Sequence, residues 1–123
     1  AYEPGDIKNK PEVLNQTKID RLASEIGADN VPILLDIFLG ELAQYIEKLS
    51  TDEGLDKDAY LKEISHALKS SAASFGAESL CAYAVEVDAK AKSGQTLDIS
   101  ATQQQMVALL SETQQRYKAL LAQ

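Results

Sequence analysis

The distribution of proline is the sequence feature that most restricts how this chain of 123 residues can fold. All three prolines lie at positions 4, 11 and 32, so the segment from 33 to 123 contains no proline and only four glycines. Proline and glycine are the residues that interrupt helices most strongly. The sequence therefore predicts long helices over most of its length.

Apolar residues recur at helical spacing along this segment and before it, while no stretch alternates with period two. The spacing predicts a short helix that ends at Gly27, followed by helices over about 31–49, about 57–74, Leu80 to near Gly94, and Ile99 to Leu121. Four long amphipathic helices joined by short loops are typical of a bundle. The predicted fold class is all-α, an antiparallel four-helix bundle with an additional short N-terminal helix.

Several helix ends carry a local signal. Thr17 with Asp20, and Ser100 with Gln103, have the spacing of N-terminal capping pairs. Gly76 suits the left-handed backbone position that closes a helix. These signals predict where the first and last helices begin and where the third helix ends.

The first twelve residues differ from the rest of the chain. They contain Pro4, Gly5 and Pro11 and show no apolar periodicity. We predict that residues 1–12 are a flexible arm or a vector-derived remnant, and that residues 13–123 form one domain, since this length is close to the commonest domain size.

Charge and hydropathy narrow the possible partners. The net charge of −7 would repel nucleic acid and anionic membranes. The longest apolar run, from Val31 to Leu35, is far shorter than the roughly 20 residues of a membrane span. The N-terminal residues show no secretory signal, so a cytoplasmic location is expected.

Several chemistries lack their motifs. No glycine is followed by lysine and no G-x-G-x-x-G is present, so a nucleotide phosphate loop is not expected. One histidine and one cysteine cannot complete a zinc site by themselves. Nothing resembles G-x-S-x-G, the serine hydrolase motif. We predict no cofactor and no metal ion on this chain.

The single histidine carries the positive argument. At about 100° per residue, His66 points away from the apolar stripe of its own helix and should face water. Small neighbours on the same face, Ser70 and Ala73, would leave the ring open to another protein. A neutral imidazole is a competent nucleophile, and Lys69 at i+3 or Lys62 at i−4 could stabilise a dianionic group placed on it.

On this pattern alone, an exposed histidine is more often ordinary surface than a functional group. The segment from His66 to Ala77 nevertheless resembles the signature of histidine phosphotransfer domains: His, any residue, Leu, Lys, small residues, then Gly-Ala. The resemblance implies a four-helix bundle whose histidine accepts a phosphoryl group from a receiver-domain aspartate and passes it to another receiver. Ser70 departs from the glycine that is usual at this position.

A closer likeness to the quorum-sensing members of that family extends from residue 13 to about 92. It rests on Val13 to Gln16, Glu25 to Pro32, Leu34 to Glu41 and Tyr60 to Ala77. The likeness implies a carrier loaded by the receiver domain of a hybrid sensor kinase and discharged to a LuxO-type response regulator. We expect the chain to be a monomer without kinase activity of its own. The partner would bring the aspartate and its Mg²⁺.

The second helix shows an unexpected feature on its polar side. Ile33, Ile37, Gly40 and Gln44 follow one another at steps of three and four residues, opposite the apolar stripe. Either the short first helix covers the two isoleucines, or they form an exposed patch that docks a receiver domain beside His66.

Two other functions remain compatible with the sequence. The chain could be a phosphotransfer module of a larger hybrid sensor kinase, which the length of the natural gene would decide. It could also be a four-helix adaptor that binds a partner without chemistry, with His66 incidental. Incubation with a phosphorylated receiver domain separates the adaptor from the carrier.

Overall fold

The computed structural model describes residues 12–51 and 54–122 of the chain. In these ranges the chain forms five α-helices and one short 3-10 helix, Ala28–Asn30, without a β-strand. The α-helices are α1 (Gln16–Ile26), α2 (Val31–Thr51), α3 (Lys57–Phe75), α4 (Glu78–Lys92) and α5 (Ile99–Leu121). The predicted all-α fold class is confirmed, and the helix bounds agree with the apolar periodicity to within a few residues.

The four long helices run in alternating directions. The Gln103 side chain, near the start of α5, donates to the Leu49 carbonyl near the end of α2 at 2.6 Å. At the opposite end of the bundle, the Tyr117 hydroxyl donates to the Phe75 carbonyl at 2.6 Å, which joins the last turns of α5 and α3. α3 packs most extensively on α4, and α2 on α5. The arrangement is the predicted antiparallel four-helix bundle with a short additional helix.

Apolar side chains from all four long helices fill the centre of the bundle. Leu35, Leu42, Leu61, Leu68, Leu80 and Leu110 are completely buried. Phe38 stacks on Phe75 with ring centroids 4.8 Å apart and meets the edge of Tyr117 at 5.5 Å. The core therefore holds α3 rigidly by its apolar stripe, which leaves its opposite face to the solvent.

The first helix is attached at one end of the bundle, next to the C-terminal end of α3. Gly76 adopts the left-handed conformation (φ 79°) predicted for it and closes α3. Its carbonyl accepts from the Asn15 backbone N–H at 2.8 Å. A Cβ atom at Gly76 would lie 3.0 Å from both the Asn15 carbonyl oxygen and the Lys18 Cβ. Glycine therefore permits both the turn and the close approach of α1.

Two of the predicted helix starts are wrong in detail. The N-cap of α1 is Asn15, whose side chain accepts from the Lys18 N–H, and Thr17 lies inside the helix. The N-cap of α5 is Asp98, whose carboxylate accepts from the Ala101 N–H at 3.1 Å, and Ser100 lies inside the helix. In both helices a better acceptor two residues earlier takes the capping position.

The proposed arm falls almost entirely outside the described residues, which begin at Glu12. The Glu12 carbonyl accepts from the Ser79 N–H at 2.8 Å, so this residue is tied to the start of α4. Among the described helices, none has both the length and the apolar character needed to cross a membrane.

Candidate functional site

His66 lies in the middle of α3, on the face turned away from the core. The side chain of Asp56 caps the start of this helix by accepting from the Ala59 N–H at 3.1 Å. Ile64 and Leu68, on either side of His66 in sequence, are almost completely buried. The imidazole itself has 69% of its surface exposed, so the predicted orientation is confirmed. A rigid helix thus presents the ring to an incoming molecule.

A buried carboxylate from the neighbouring helix lies beside the ring, and sequence reasoning missed it. Asp88 of α4 has 7% of its side-chain surface exposed. Its Oδ1 atom lies 3.5 Å from His66 Nδ1. Its Oδ2 atom lies 2.7 Å from the ammonium nitrogen of Lys69 and 3.0 Å from that of Lys92. We call these four residues, His66, Lys69, Asp88 and Lys92, the polar cluster.

The charges of the polar cluster reinforce one another. Hydrogen bonds from Lys69 and then from Lys92 lower the pKa of the Asp88 carboxyl from 3.8 to about 2, against the opposing effect of desolvation. The hydrogen bond to Asp88 likewise raises the pKa of the Lys69 ammonium above its usual value. The carboxylate and the lysine next to it are therefore both charged at neutral pH.

The two predicted cations do not occupy equivalent places. Lys69 lies in the polar cluster, as its position three residues after His66 predicts. Lys62 forms an ion pair with Asp58 at 2.9 Å, which directs its ammonium group toward the start of α3. Lys92 from α4 takes the place beside Lys69 instead. A second cation is present, but it comes from the neighbouring helix.

Small residues next to His66 leave its ring accessible. Ser70, one turn further along α3, is exposed, and Ala73 is partly exposed. The Ser74 hydroxyl donates to the Ser70 carbonyl at 3.0 Å, so it is turned toward its own helix backbone. Only short side chains therefore surround His66 on this side, and a partner can approach the ring along α3.

The isoleucines of α2 are exposed, which rules out the alternative in which the first helix covers them. Ile33 and Ile37 have 59% and 64% of their surface exposed, and Gly40 and Gln44 are exposed as well. The first helix does not cover the isoleucines, because α1 packs elsewhere. Its Ile19 side chain is buried in the core cluster and lines an apolar cavity together with Leu35 of α2 and with Leu120 and Leu121 at the end of α5.

The last of the exposed α2 residues, Gln44, borders a groove beside α3. A shallow groove of about 330 Å³ separates α2 from α3. It is lined by Gln44, Tyr45, Lys48, Tyr60, Glu63, Ile64 and Ala67. Gln44 ends the exposed stripe of α2, and Ala67 is the residue after His66. We call Ile33, Ile37, Gly40 and Gln44 the α2 stripe, whose last residue shares this groove with Ala67 of α3.

The comparisons with known proteins agree with the architecture. The sequence model of the Hpt domain matches residues 33–122, which is most of the chain. The chain therefore belongs to the Hpt family, the histidine phosphotransfer proteins of two-component phosphorelays.

Two relatives within this family indicate a narrower group of phosphorelay proteins. The chain is 61% identical over 110 residues to the phosphorelay protein LuxU of Vibrio cholerae serotype O1, covering 89% of this chain and 97% of that protein. It is 54% identical over 108 residues to LuxU of Vibrio harveyi, covering 88% and 95%.

A solved structure shows the same fold at much lower identity. The crystal structure of histidine-containing phosphotransfer protein B from Pseudomonas aeruginosa PAO1 superposes with a TM-score of 0.75. The match has 20% identity and covers 92% of this chain and 97% of that one. This likeness supports the helical bundle and nothing finer.

Proposed function

We propose that His66 is the phosphoryl acceptor of this phosphotransfer protein. The observation that carries the proposal is an exposed imidazole held beside a buried carboxylate and two ammonium groups, in a chain that belongs to the Hpt family. Since Nδ1 faces Asp88, the nitrogen available to a partner is Nε2. Its lone pair attacks phosphorus, the N–P bond forms, and the bond between phosphorus and the donor's aspartate oxygen breaks.

Lys69 stabilises the transferred group in this proposal. The phosphoryl group brings negative charge to Nε2, and an ammonium group one turn away in the helix attracts it. Lys69 is already charged and is held by Asp88, the carboxylate that also faces the ring. Lys62 has a lesser part, because its ammonium group is engaged with Asp58.

The partner supplies the remaining chemistry. Phosphoryl transfer relies on positioning and on stabilising charge, usually with a metal ion. Asp88 is the buried carboxylate near His66, and its Oδ2 atom already accepts from two ammonium groups. In the described residues, no set of three His, Cys, Asp or Glu side chains is arranged to hold a metal ion. We propose that Mg²⁺ and the reactive aspartate come with the receiver domain, and that the chain itself has no kinase activity.

The proposed donor is the receiver domain of a hybrid sensor kinase, and the proposed recipient is a LuxO-type response regulator in a quorum-sensing relay. The high identity to proteins named LuxU supports this assignment. A monomer acting in the cytoplasm fits this exchange. Ser70 and Ala73, with the α2 stripe, form the proposed docking surface, since the first two are small neighbours of His66 on α3 and the stripe is exposed.

Incubation with a phosphorylated receiver domain tests the proposal. The parent protein should gain the mass of one phosphoryl group at His66, and acid should remove it. His66→Gln should gain none while keeping its helicity and melting temperature, because the imidazole is exposed and makes no core contact. Uptake by the His66→Gln variant would contradict the proposal, and binding without uptake by the parent would favour the adaptor.

A further inference from the structure

Long side chains, rather than close packing of the two backbones, connect α2 with α3. α2 packs mainly on α5 and α3 mainly on α4, whereas α2 and α3 contact each other much less. The groove of about 330 Å³ lies between them. The position of α2 relative to α3 therefore depends on the side chains that reach across.

Two kinds of contact cross from α2 to α3 along this groove. The Tyr45 ring meets the edge of the Tyr60 ring, with centroids 6.3 Å apart, and the Lys48 ammonium lies 5.5 Å from the centroid of Tyr60. One turn before Tyr45, Glu41 Oε2 accepts from the Ser71 hydroxyl of α3 at 3.2 Å. The contact between Glu41 and Ser71 is a hydrogen bond, so it is directional and favours one alignment of the two helices.

The Glu41 carboxylate is itself held in place. The Tyr45 hydroxyl, one turn further along α2, donates to the same Oε2 atom at 2.7 Å. Burial, and then the hydrogen bond to Glu41, raise the pKa of the Tyr45 hydroxyl, so it stays protonated and able to donate at neutral pH. Glu41 and Ser71 are both half-buried, where a hydrogen bond to a charged group is strong. We call Glu41, Tyr45 and Ser71 the α2–α3 bridge.

The α2–α3 bridge lies beside an intrinsically weak point of α2. Gly40 comes directly before Glu41 in the middle of this helix, and glycine has the greatest backbone freedom of all residues. A Cβ atom at Gly40 would meet nothing within 4 Å, so lack of space does not explain the glycine. Ile33 and Ile37 precede this point and Gln44 follows it. The bridge therefore ties α2 to α3 in the middle of the α2 stripe.

We propose that the α2–α3 bridge positions the α2 stripe relative to His66, so that one receiver domain contacts the stripe and the histidine together. The inference rests on the proposed function, in which the α2 stripe and small residues of α3 form the docking surface. Glu41 follows Gly40 of the stripe and Ser71 follows Ser70, so the bridge joins the two parts of that surface. A receiver binds only the molecules in which both parts are correctly placed, and the apparent affinity falls with their fraction.

Loading from a phosphorylated receiver should depend on the α2–α3 bridge. Glu41→Ala removes the acceptor, and Ser71→Ala removes the donor of α3. Each should raise the KM for the receiver about fivefold and leave kcat nearly unchanged, because a docked receiver has already selected the correct position of α2. Loading by phosphoramidate, a small phosphoryl donor that needs no docking surface, should proceed at the rate of the parent in both variants.

Two further variants separate the α2–α3 bridge from a direct contact with the receiver. Glu41→Gln keeps an oxygen that accepts from both hydroxyls, so its KM should stay within about twofold of that of the parent. If Glu41 instead bound a cation of the receiver, Glu41→Gln would be as damaging as Glu41→Ala. Ser71→Ala should add nothing when Glu41 is already alanine, because both changes remove the same hydrogen bond.

Amide hydrogen exchange tests the α2–α3 bridge independently of transfer. Glu41→Ala should speed exchange in α2 around Gly40 and leave exchange in α4 as in the parent. Gln103→Ala is the matched control, since it also removes a hydrogen bond between α2 and another helix, but at Leu49, beyond the α2 stripe. It should lower the melting temperature and keep the KM of the parent.

Each outcome decides one question. Unchanged exchange around Gly40 in Glu41→Ala overturns the proposal, and so does a parent-like KM in a variant whose α2 exchanges faster. An equal rise of KM in Gln103→Ala, or in Glu41→Gln, also overturns it. Should Glu41→Ala fold poorly, Ser71→Ala gives the same tests with a smaller change. A parent that takes no phosphoryl group on His66 would instead contradict the proposed function, whatever the exchange of α2 shows.

Discussion

Asp88 keeps a negative charge in a nearly solvent-free position because two ammonium groups lie within 3.0 Å of one of its oxygens. These ion pairs stabilise the fold locally and are also part of the candidate site. Burial alone would favour the neutral acid, and hydrogen bonds from the lysines reverse that preference. The charge state of this one side chain therefore links the stability of the fold to pH.

Acid should weaken the fold in a defined range. The pKa of the Asp88 carboxyl is about 2 in the folded protein and 3.8 as an ordinary value, so the folded state binds this proton less readily than the unfolded state. The contribution is complete above about pH 4 and is lost as the pH falls toward 2. Thermal unfolding followed by circular dichroism from pH 6 to 2 measures it. Asp88→Ala should lose less stability than the parent in this range; an equal loss would contradict the assignment.

Lys69→Ala should shorten the lifetime of the phosphorylated form without preventing its formation. The ammonium group attracts the phosphoryl oxygens but makes no bond to phosphorus, so an effect of about tenfold is expected. Lys69→Arg should retain more activity because it keeps the charge.

Lys62→Ala is the matched control, since its ammonium group pairs with Asp58 on the same helix. Its phosphorylated form should last nearly as long as that of the parent. Equal lifetimes in Lys69→Ala and the parent would remove Lys69 from the mechanism. Both variants are read from the decay of ³²P label on the isolated protein.

For individual residues, the sequence correctly predicted how side chains of the same helix are arranged. The helical spacing of α3 identified His66 as exposed and placed Lys69 beside it. It could not find Asp88 or Lys92, because their approach depends on how α4 is rotated and shifted against α3. Asp88 also follows Val87 on the buried side of α4, where a carboxylate is not expected unless a partner is known.

The helix α2 illustrates what a single element contributes to the protein. Its inward face supplies Leu35, Phe38 and Leu42 to the core, while its outward face carries two isoleucines with no covering element in the described chain. Gly40 is also on this face, and a Cβ atom there would meet nothing within 4 Å. Packing within the described fold does not explain the isoleucines or the glycine at these positions. Their presence agrees with a surface that binds a partner.

Ile37→Lys should slow phosphoryl transfer about tenfold while leaving the fold intact. The side chain is 64% exposed, so a lysine there adds no buried charge and changes the free energy of unfolding by no more than about 0.5 kcal/mol. Loss of an apolar contact and a new charge would weaken receiver docking.

Ala108→Lys, at an exposed position on α5, is the control for added charge. Transfer rates measured over a range of receiver concentrations, together with melting curves, check both variants. Full transfer by a stable Ile37→Lys protein would exclude the α2 stripe from docking.

Helix positions were easier to predict than helix starts. Apolar stripes average over many residues, so α2 and α3 were placed nearly correctly from spacing alone. A cap depends on one side chain, and both Thr17 and Ser100 compete with a stronger candidate nearby. Asn15 and Asp98 win because their side chains reach the N–H groups of Lys18 and Ala101.

On the scale of the whole molecule, the bundle could be predicted from four apolar stripes and short connections. The position of α1 against the bundle could not. Its position depends on contacts between residues far apart in sequence, such as Asn15 with Gly76. The Asn15 amide also donates to the Glu78 carboxylate at 2.7 Å. These bonds fasten the first helix to the turn between α3 and α4.

Gly76→Ala should lower the stability of the whole molecule by about 2–3 kcal/mol. The positive φ angle disfavours any side chain by about 1–2 kcal/mol, and the new methyl group would also meet backbone and side-chain atoms at 3.0 Å. Gly94→Ala is the matched control, because φ is also positive (80°) but nothing lies within 4 Å.

The difference between the two variants in urea unfolding isolates the contact with α1. Gly94→Ala should cost about 1–2 kcal/mol, the conformational part alone. Equal losses in the two variants would show that the packing of α1 against Gly76 adds nothing to stability.

The polar cluster is contained in α3 and α4, which are consecutive in sequence and joined by a tight turn at Gly76, while the α2 stripe lies outside that hairpin. Mutation can therefore alter the α2 stripe without replacing any residue of the polar cluster. With the α2 stripe as the proposed docking surface, one copy of a duplicated gene would acquire a different receiver by changes in a single helix and keep its chemistry from the first generation onward. Such a division favours the multiplication of parallel signalling routes from one ancestral carrier.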